Sequence, residues 1–178
     1  MVRFPSLYRH QAALVLGLSP GSRVRRAVLR RAVVSGWAAF SRRDFKLMLV
    51  RIAPNVEVEF QPGLQTLDFG GTYHGHAGWV EGFSKLFEVL DAWEAEPAYV
   101  LDLGNRFLTL VLVRARARAS GVPLEQTVGQ LLTVRDSLVT REQSFFSWEE
   151  GMRAAGLDPN AITLPSREKA AQTAGGTG

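Results

Sequence analysis

The order of helical and strand patterns constrains this chain most, because helices dominate its first half and strands its second. Apolar residues recur at helical spacing between Val24 and Phe40, which predicts a long amphipathic helix over residues 22–41. Further helices are predicted over 45–52, from Gly75 to about Glu94, and over 148–155. Strands are predicted over 56–60, 99–103, 107–119, 126–134 and 138–146. This order predicts an α+β fold in which a long antiparallel run of strands curls around the helices.

The 178 residues are enough for one domain with an extension at each end. Ser19-Pro20-Gly21 is typical of a turn, and Ser22 is a suitable N-cap for the long helix. We therefore expect a basic N-terminal extension at residues 1–22 and the domain itself at 23–157. Residues 158–178 drift into Pro, Ala, Gly and Thr, a composition that predicts a disordered C-terminal tail.

The composition excludes several classes of protein. The chain has no cysteine, so a disulfide framework, a zinc ribbon and a thiol nucleophile are excluded. Its three histidines leave little for a histidine-based metal site, and we expect neither a metal nor a cofactor. No apolar run is long enough to span a bilayer, and no cleavage site follows the apolar run at residues 12–18. We expect a cytoplasmic protein with no membrane partner.

Positive charge is concentrated at the N-terminal end. Residues 1–51 hold eleven Lys and Arg against one acid, Asp44, whereas the rest of the chain holds ten against sixteen. This basic end could bind an anionic partner, but the simpler interpretation is that Arg25 and its neighbours Arg26, Arg30 and Arg31 form a solvated helix face. No aromatic residues alternate with these arginines, so a nucleic acid is not expected. Asp102 is expected to form a local ion pair with Arg106.

Four segments resemble the SnoaL-like, polyketide cyclase-like branch of the nuclear transport factor 2-like superfamily, which also contains ketosteroid isomerase. They are Trp37–Asp44 (WAAFSRRD), Tyr73–Trp79 (YHGHAGW), Leu131–Arg141 (LLTVRDSLVTR) and Glu149–Leu157 (EEGMRAAGL). The resemblance implies a cone-shaped curved antiparallel sheet wrapped around N-terminal helices. It also implies a deep pocket for a small hydrophobic molecule such as a steroid, polyketide or terpenoid, and a homodimer that forms through the sheet.

The catalytic residues of that superfamily are replaced in this chain. Carried over by register, the isomerase's tyrosine falls at Gly36, its base near Phe60 or Gln61, and its oxyanion-binding aspartate at Gln130. The histidine and aspartate of the SnoaL-type cyclases fall at Gln130 and Ser144. None of these side chains can abstract a proton at neutral pH, although Gln130 can donate a hydrogen bond.

The alternation of side chains along the last strand points to a different candidate catalytic group, the carboxylate of Glu142. Glu142 shares a strand face with Ser144 and Phe146, and an apolar pocket would raise its pKa and make it a candidate general base. Alternatively, Glu142 pairs with an arginine or lies at the rim. His74 is a second catalytic candidate, near the pocket mouth, unless it caps the helix or faces solvent. The expected ligand-binding residues are Gly36, Trp37, Phe40, Phe60, Tyr73, Trp79, Phe83, Gln130, Leu132, Ser144 and Phe146.

Three functions remain open from the sequence. The first is a binding protein for a small hydrophobic molecule. The second is a cyclase, isomerase or hydrolase that uses Glu142 as a general acid or base. The third is an interaction domain that binds a macromolecule through the basic N-terminal region.

Overall fold

The computed structural model describes residues 12–61 and 70–160. Residues 12–16 are helical and are called α1 here. The later helices are α2 (Arg23–Ser41), α3 (Phe45–Leu49), α4 (Gly75–Val89) and α5 (Trp148–Ala155). The strands are β1 (Ile52–Phe60), β2 (Gly71–His74), β3 (Leu90–Asp102), β4 (Arg106–Ala117), β5 (Pro123–Arg135) and β6 (Leu138–Phe145). Most of the N-terminal extension, the loop at 62–69 and the tail beyond 160 lie outside the described residues.

The six strands form one curved sheet in the order β2-β1-β6-β5-β4-β3. All neighbours are antiparallel except β1 and β6, which run parallel. The aromatic core lies between α2, α4 and the inner face of the sheet, and its largest members include Trp37, Phe40, Trp79, Phe83 and Phe87. The predicted α+β fold, with a curved sheet around helices, is confirmed. None of the helices in the described ranges combines the length and apolar character needed to cross a membrane.

Several predicted boundaries differ from the observed ones, and two of these errors concern how the sheet is built. The helix expected to continue to about Glu94 ends at Val89, and β3 begins at Leu90. Leu90 and Trp93 follow Leu86 at helical spacing, but Leu90 pairs with Ala117 of β4, and this long-range pairing overrides the local pattern. The second error is at β1, which begins at Ile52 rather than at residue 56 and contains Pro54 near a shift in its register with β6.

Helix α5 covers the middle of the outer sheet face. Leu108, Leu110 and Leu131 point outward and pack with Trp148 and Met152 of the helix. The Nε1 atom of Trp148 donates a hydrogen bond to the carbonyl of Val111 at 3.0 Å. A homodimer through the sheet stays a prediction, and it would have to form around α5 or on the parts of the sheet that α5 leaves open.

One buried arginine joins the N-terminal segment to the sheet. Arg25 is 2% exposed, and its Nε and Nη2 atoms donate to both carboxylate oxygens of Asp102 at 2.7 and 2.9 Å. Its remaining N–H groups donate to the carbonyls of Leu16, Leu18 and Gly104. The expectation that Arg25 is solvated is therefore wrong. So is the expected Asp102–Arg106 pair, because Asp102 pairs with Arg25 and the Nη2 atom of Arg106 donates to the carbonyl of Ala155.

Helix α5 approaches β5 so closely that only glycine fits at the contact. A Cβ atom on Gly129 would lie 2.9 Å from the Cα of Gly151 and 3.1 Å from the carbonyl oxygen of Ser147. Both neighbours are backbone atoms that cannot turn aside. In contrast, a Cβ on Gly36 of α2 would meet nothing nearer than the Nη1 atom of Arg51 at 3.6 Å.

We predict that Gly129→Ala destabilises the protein by about 1–3 kcal/mol, because the added methyl group overpacks the α5–β5 contact. Gly36→Ala is the matched control and should raise stability by up to about 1 kcal/mol, because alanine favours a helix over glycine. Urea unfolding followed by circular dichroism measures both changes. Equal stability of Gly129→Ala and the unmodified protein would contradict the close α5–β5 contact.

Candidate functional site

Two cavities lie between the helices and the inner face of the sheet, at opposite ends of the strands. The Glu142 cavity, about 280 Å³, lies where β1 and β6 begin. Its lining includes Leu16, Leu29, Val33, Gly36, Leu132, Val139 and Glu142. The Trp93 cavity, about 330 Å³, lies where β1 and β6 end. Its lining includes Phe60, Phe83, Trp93, Ala115, Val128, Ser144 and Phe146.

The two cavities share a wall of three side chains. Trp37 and Phe40 of α2 and Gln130 of β5 line both of them. The rings of Trp37 and Phe40 meet edge to face, with their centroids 5.5 Å apart. The concave space inside the sheet is therefore divided around these residues.

Glu142 is the buried carboxylate of the site. It is 4% exposed, and both of its oxygens accept hydrogen bonds. The Nε1 atom of Trp79 donates to Oε2 at 2.9 Å, and the Nε2 atom of Gln130 donates to Oε1 at 2.5 Å. The carboxylate thus connects α4, β5 and β6.

Strand alternation and register account for this arrangement. On β6, Arg141 and Gln143 point outward and bind Glu59 of β1, so Glu142 between them points inward. Leu132 lies directly opposite Glu142 on β5. Gln130 is the diagonal neighbour of Glu142, within reach of a long side chain.

The apolar surroundings change the acidity of Glu142. Burial raises the pKa of its carboxyl to about 7, and the hydrogen bonds from Trp79 and Gln130 oppose this rise without cancelling it. The carboxyl is therefore close to half protonated at neutral pH. Such a group can accept a proton from a bound molecule or give one to it.

Few other polar groups line the Glu142 cavity. Arg51 is held against α2, because its Nη1 atom donates to the carbonyl of Ala32 at 2.8 Å and its Nη2 atom to the Oγ of Ser35 at 3.1 Å. The hydroxyl of Thr109 lies 3.4 Å from the carbonyl oxygen of Gln130. Among the described residues, no three His, Asp or Glu side chains are grouped so that they could hold a metal ion.

The structure divides ten of the eleven expected ligand-binding residues between the cavities. Gly36, Trp79 and Leu132 line the Glu142 cavity, and Trp37, Phe40 and Gln130 line both. Phe60, Phe83, Ser144 and Phe146 line the Trp93 cavity. Phe60 and Ser144 thus line only the Trp93 cavity, whereas Gly36 and the buried carboxylate of Glu142 line the other.

Tyr73 and His74 are not part of either lining. Tyr73 points inward but packs against Phe60, with the ring centroids 5.8 Å apart. His74 is exposed and lies opposite Glu57 in the sheet register, on the outer face. The expectation that His74 lies near a pocket mouth therefore has no support from its position, because strand alternation turns its side chain away from both cavities.

Sequence reasoning missed Trp93, because the predicted helix extended over it. Its Nε1 atom is buried, and no hydrogen-bond partner for it exists among the described residues. Sequence reasoning also missed Leu16 and the neighbouring Val15 of α1, which close the Glu142 cavity on one side. The apolar run at residues 12–18 was the available signal for this contact.

Comparisons with solved structures identify proteins of similar fold. TerC, co-crystallised with polyporic acid, is 26% identical with a TM-score of 0.60, and the match covers 66% of this chain and 89% of TerC. An NTF2-like protein from Burkholderia pseudomallei is 22% identical with a TM-score of 0.61, covering 70% of this chain and 94% of that one. A protein with a ketosteroid isomerase-like fold from Catenulispora acidiphila, in complex with trimethylamine, is 15% identical with a TM-score of 0.55, covering 74% and 97%.

The family comparison agrees with the fold. No curated protein matches the chain. The SnoaL-like domain model matches residues 33–142, more than half of the chain, from the middle of α2 to Glu142 itself. The resemblance expected from the sequence is confirmed, and the chain belongs to the family of SnoaL-like domains.

Proposed function

We propose that this protein binds a small, mainly apolar organic molecule in the Glu142 cavity and that the Glu142 carboxyl makes the polar contact with it. The observation that carries the proposal is a buried carboxyl with a pKa of about 7 in the wall of an otherwise largely apolar cavity. Burial of this carboxyl is costly for the fold, and its hydrogen bonds offset the cost only in part, because its pKa stays raised. Its two hydrogen bonds, from Trp79 and Gln130, hold it in place.

The size and lining of the cavity fit such a ligand. Its volume of about 280 Å³ is near the lower end of the range for small-molecule sites, about 300–1,000 Å³. Aliphatic side chains such as Leu29, Val33 and Val139 supply most of the wall. TerC was co-crystallised with polyporic acid, which supports a small organic ligand for this chain as well.

The same carboxyl favours a second candidate function, acid–base catalysis. A general acid or base works best when its pKa is close to the operating pH, and Glu142 meets this condition. The family's catalytic positions hold Gly36, Phe60, Gln130 and Ser144, none of which can exchange a proton at neutral pH. An enzyme of the cyclase, isomerase or hydrolase type would therefore depend on Glu142, and a Glu142→Gln variant would bind the molecule without turning it over.

The binding proposal predicts a selective rise in the thermal unfolding midpoint with one class in a panel of steroids, polyketides, terpenoids and fatty acids. At one hundred times its dissociation constant, a ligand of the folded state adds about 2.7 kcal/mol of stability. For a domain of this size, the midpoint should rise by roughly 5–10 °C. Differential scanning fluorimetry measures it.

Two substitutions, each of which adds a larger side chain to one cavity, test where the ligand binds. Gly36→Phe places a ring in the Glu142 cavity and should abolish the rise, whereas Ala115→Leu narrows only the Trp93 cavity and should preserve it. The opposite pattern would assign the ligand to the Trp93 cavity and refute the proposed site. A rise that survives both substitutions would exclude both cavities.

Glu142 also predicts a specific dependence of stability on pH. Its pKa is raised from 4.5 to about 7 on folding, so the folded protein binds more protons than the unfolded chain between these values. The resulting stability is fully present below about pH 4.5 and is lost as the pH rises to about 7. The loss amounts to about 3 kcal/mol, the energy of a pKa difference of this size.

The measurement is urea unfolding from pH 4.5 to pH 8, compared between the unmodified protein and Glu142→Gln. The free energy of unfolding of the variant should lack this decline. Glu88→Gln, at an exposed position on α4, is the control and should keep it. If Glu142→Gln and the unmodified protein lose stability in parallel, the carboxyl does not titrate near neutral pH.

A further inference from the structure

The outermost line of α2 is apolar where a solvated helix is normally polar. Val24, Ala27, Arg31, Val34 and Ala38 follow one another at spacings of three and four residues, so they lie along one side of the helix. All five are exposed, and only one is charged. Val24 is 62% exposed and Val34 is 46% exposed. A helix that faces only water usually carries polar residues on this line.

The N-terminal segment, which Arg25 of α2 binds through the carbonyls of Leu16 and Leu18, adds further exposed apolar side chains. Leu14 of α1 is 75% exposed, and Leu18 just beyond it is 39% exposed. Val24, Val28 and Val34 of α2 are also exposed. In the described parts of the chain, the only other large hydrophobic side chains exposed to this degree are Val122, just before β5, and Leu124 at its beginning. Exposed apolar area is thus concentrated on α1 and α2.

This surface also carries unneutralised positive charge. Residues 12–43 contain seven arginines and no acid. Arg25 is neutralised by Asp102, but Arg23, Arg26, Arg30 and Arg31 are exposed. Within the described residues, no acidic side chain forms an ion pair with these four.

We propose that the α1–α2 surface, formed by Leu14, Leu18, Val24, Arg30, Arg31 and Val34, docks onto an anionic phospholipid bilayer. The headgroup phosphates neutralise the arginines, and the boundary with the acyl chains receives the apolar side chains. This departs from the sequence expectation of no membrane partner, which considered only spanning segments and leader peptides.

Other partners would complement only one property of this surface, either its positive charge or its apolar side chains. A second copy docked through the same face would bring the arginines of both copies together, which is unfavourable. A nucleic acid would neutralise the arginines, but its polar interface offers no burial for Leu14, Val24 and Val34. The bilayer surface accommodates both.

Docking would place one wall of the Glu142 cavity beside the lipid. Val28 is 41% exposed and lines this cavity together with Val15 and Leu16 of α1. A ligand dissolved in the membrane would then have a short route to Glu142. This consequence rests on the proposed function, whereas docking itself does not, because it involves only the outer surface.

The test is flotation of the purified full chain with vesicles of 70% phosphatidylcholine and 30% phosphatidylglycerol, compared with pure phosphatidylcholine. Binding should require the anionic lipid. Each basic residue near such a surface contributes about a fivefold gain in partitioning, so Arg30→Gln/Arg31→Gln should reduce it about 30-fold. Val24→Gln/Val34→Gln, which leaves the charge unchanged, should reduce it about tenfold.

Arg116→Gln/Arg135→Gln is the matched control, because it removes the same charge from two exposed arginines on β4 and β5. It should bind within about twofold of the unmodified protein. Equal losses in this control, equal binding to neutral vesicles or no binding to anionic vesicles would overturn the proposal. The proposal would also be overturned if either of the two α2 double variants still bound the vesicles but lost self-association or binding to duplex DNA. The surface would then serve a second copy or a nucleic acid. The vesicles contain no ligand, so this result is independent of the thermal-shift panel.

Discussion

The hydrogen-bonded carboxylate of Glu142 is the interaction on which the interior of this protein depends. A carboxylate moved from water into an apolar interior is strongly disfavoured unless its oxygens find donors or it takes up a proton. Trp79 and Gln130 supply one donor each, from α4 and β5, and burial still raises the pKa of the group to about 7. The fold therefore carries a polar group at a cost that two hydrogen bonds offset only in part. Because the two hydrogen bonds do not fully offset the effect of burial, the cavity contains a carboxyl, that of Glu142, which can exchange a proton near neutral pH.

The second constraint is the division of the concave space. In this chain Trp37 and Phe40 extend from α2 towards Gln130 and line a cavity on either side. Phe60 and Ser144, two of the expected ligand-binding residues, line the Trp93 cavity. The buried carboxylate faces the other cavity, which α1 closes and Arg25 supports through the carbonyls of Leu16 and Leu18. The two cavities thus differ in chemistry, because the Glu142 cavity has a buried carboxylate in its wall, whereas the Trp93 cavity is lined by several aromatic side chains.

Much of the fold follows from local patterns, whereas the site follows from them only in part. The strict alternation of a strand predicts that Glu142 and Ser144 share one face, and the observed side chains do. Three features could not be predicted because they depend on distant contacts. Arg25 meets Asp102 across 77 positions of sequence, and no local pattern distinguishes it from its solvated neighbours. Leu90 fits a helix and a strand equally well until β4 pairs with it. The two cavities share a wall of Trp37, Phe40 and Gln130, and no local pattern brings these residues of α2 and β5 together.

The central claim is that Glu142 titrates near neutral pH inside an apolar cavity. Carbon-13 NMR of the side-chain carboxyl carbons, followed from pH 4 to pH 9 and assigned by comparison with Glu142→Gln, measures this most directly. The account predicts one glutamate resonance that is missing from the variant and has a midpoint near pH 7. A midpoint below about pH 5, in the ordinary range of a solvated glutamate, would contradict it, because Glu142 would then be solvated or fully compensated by its donors.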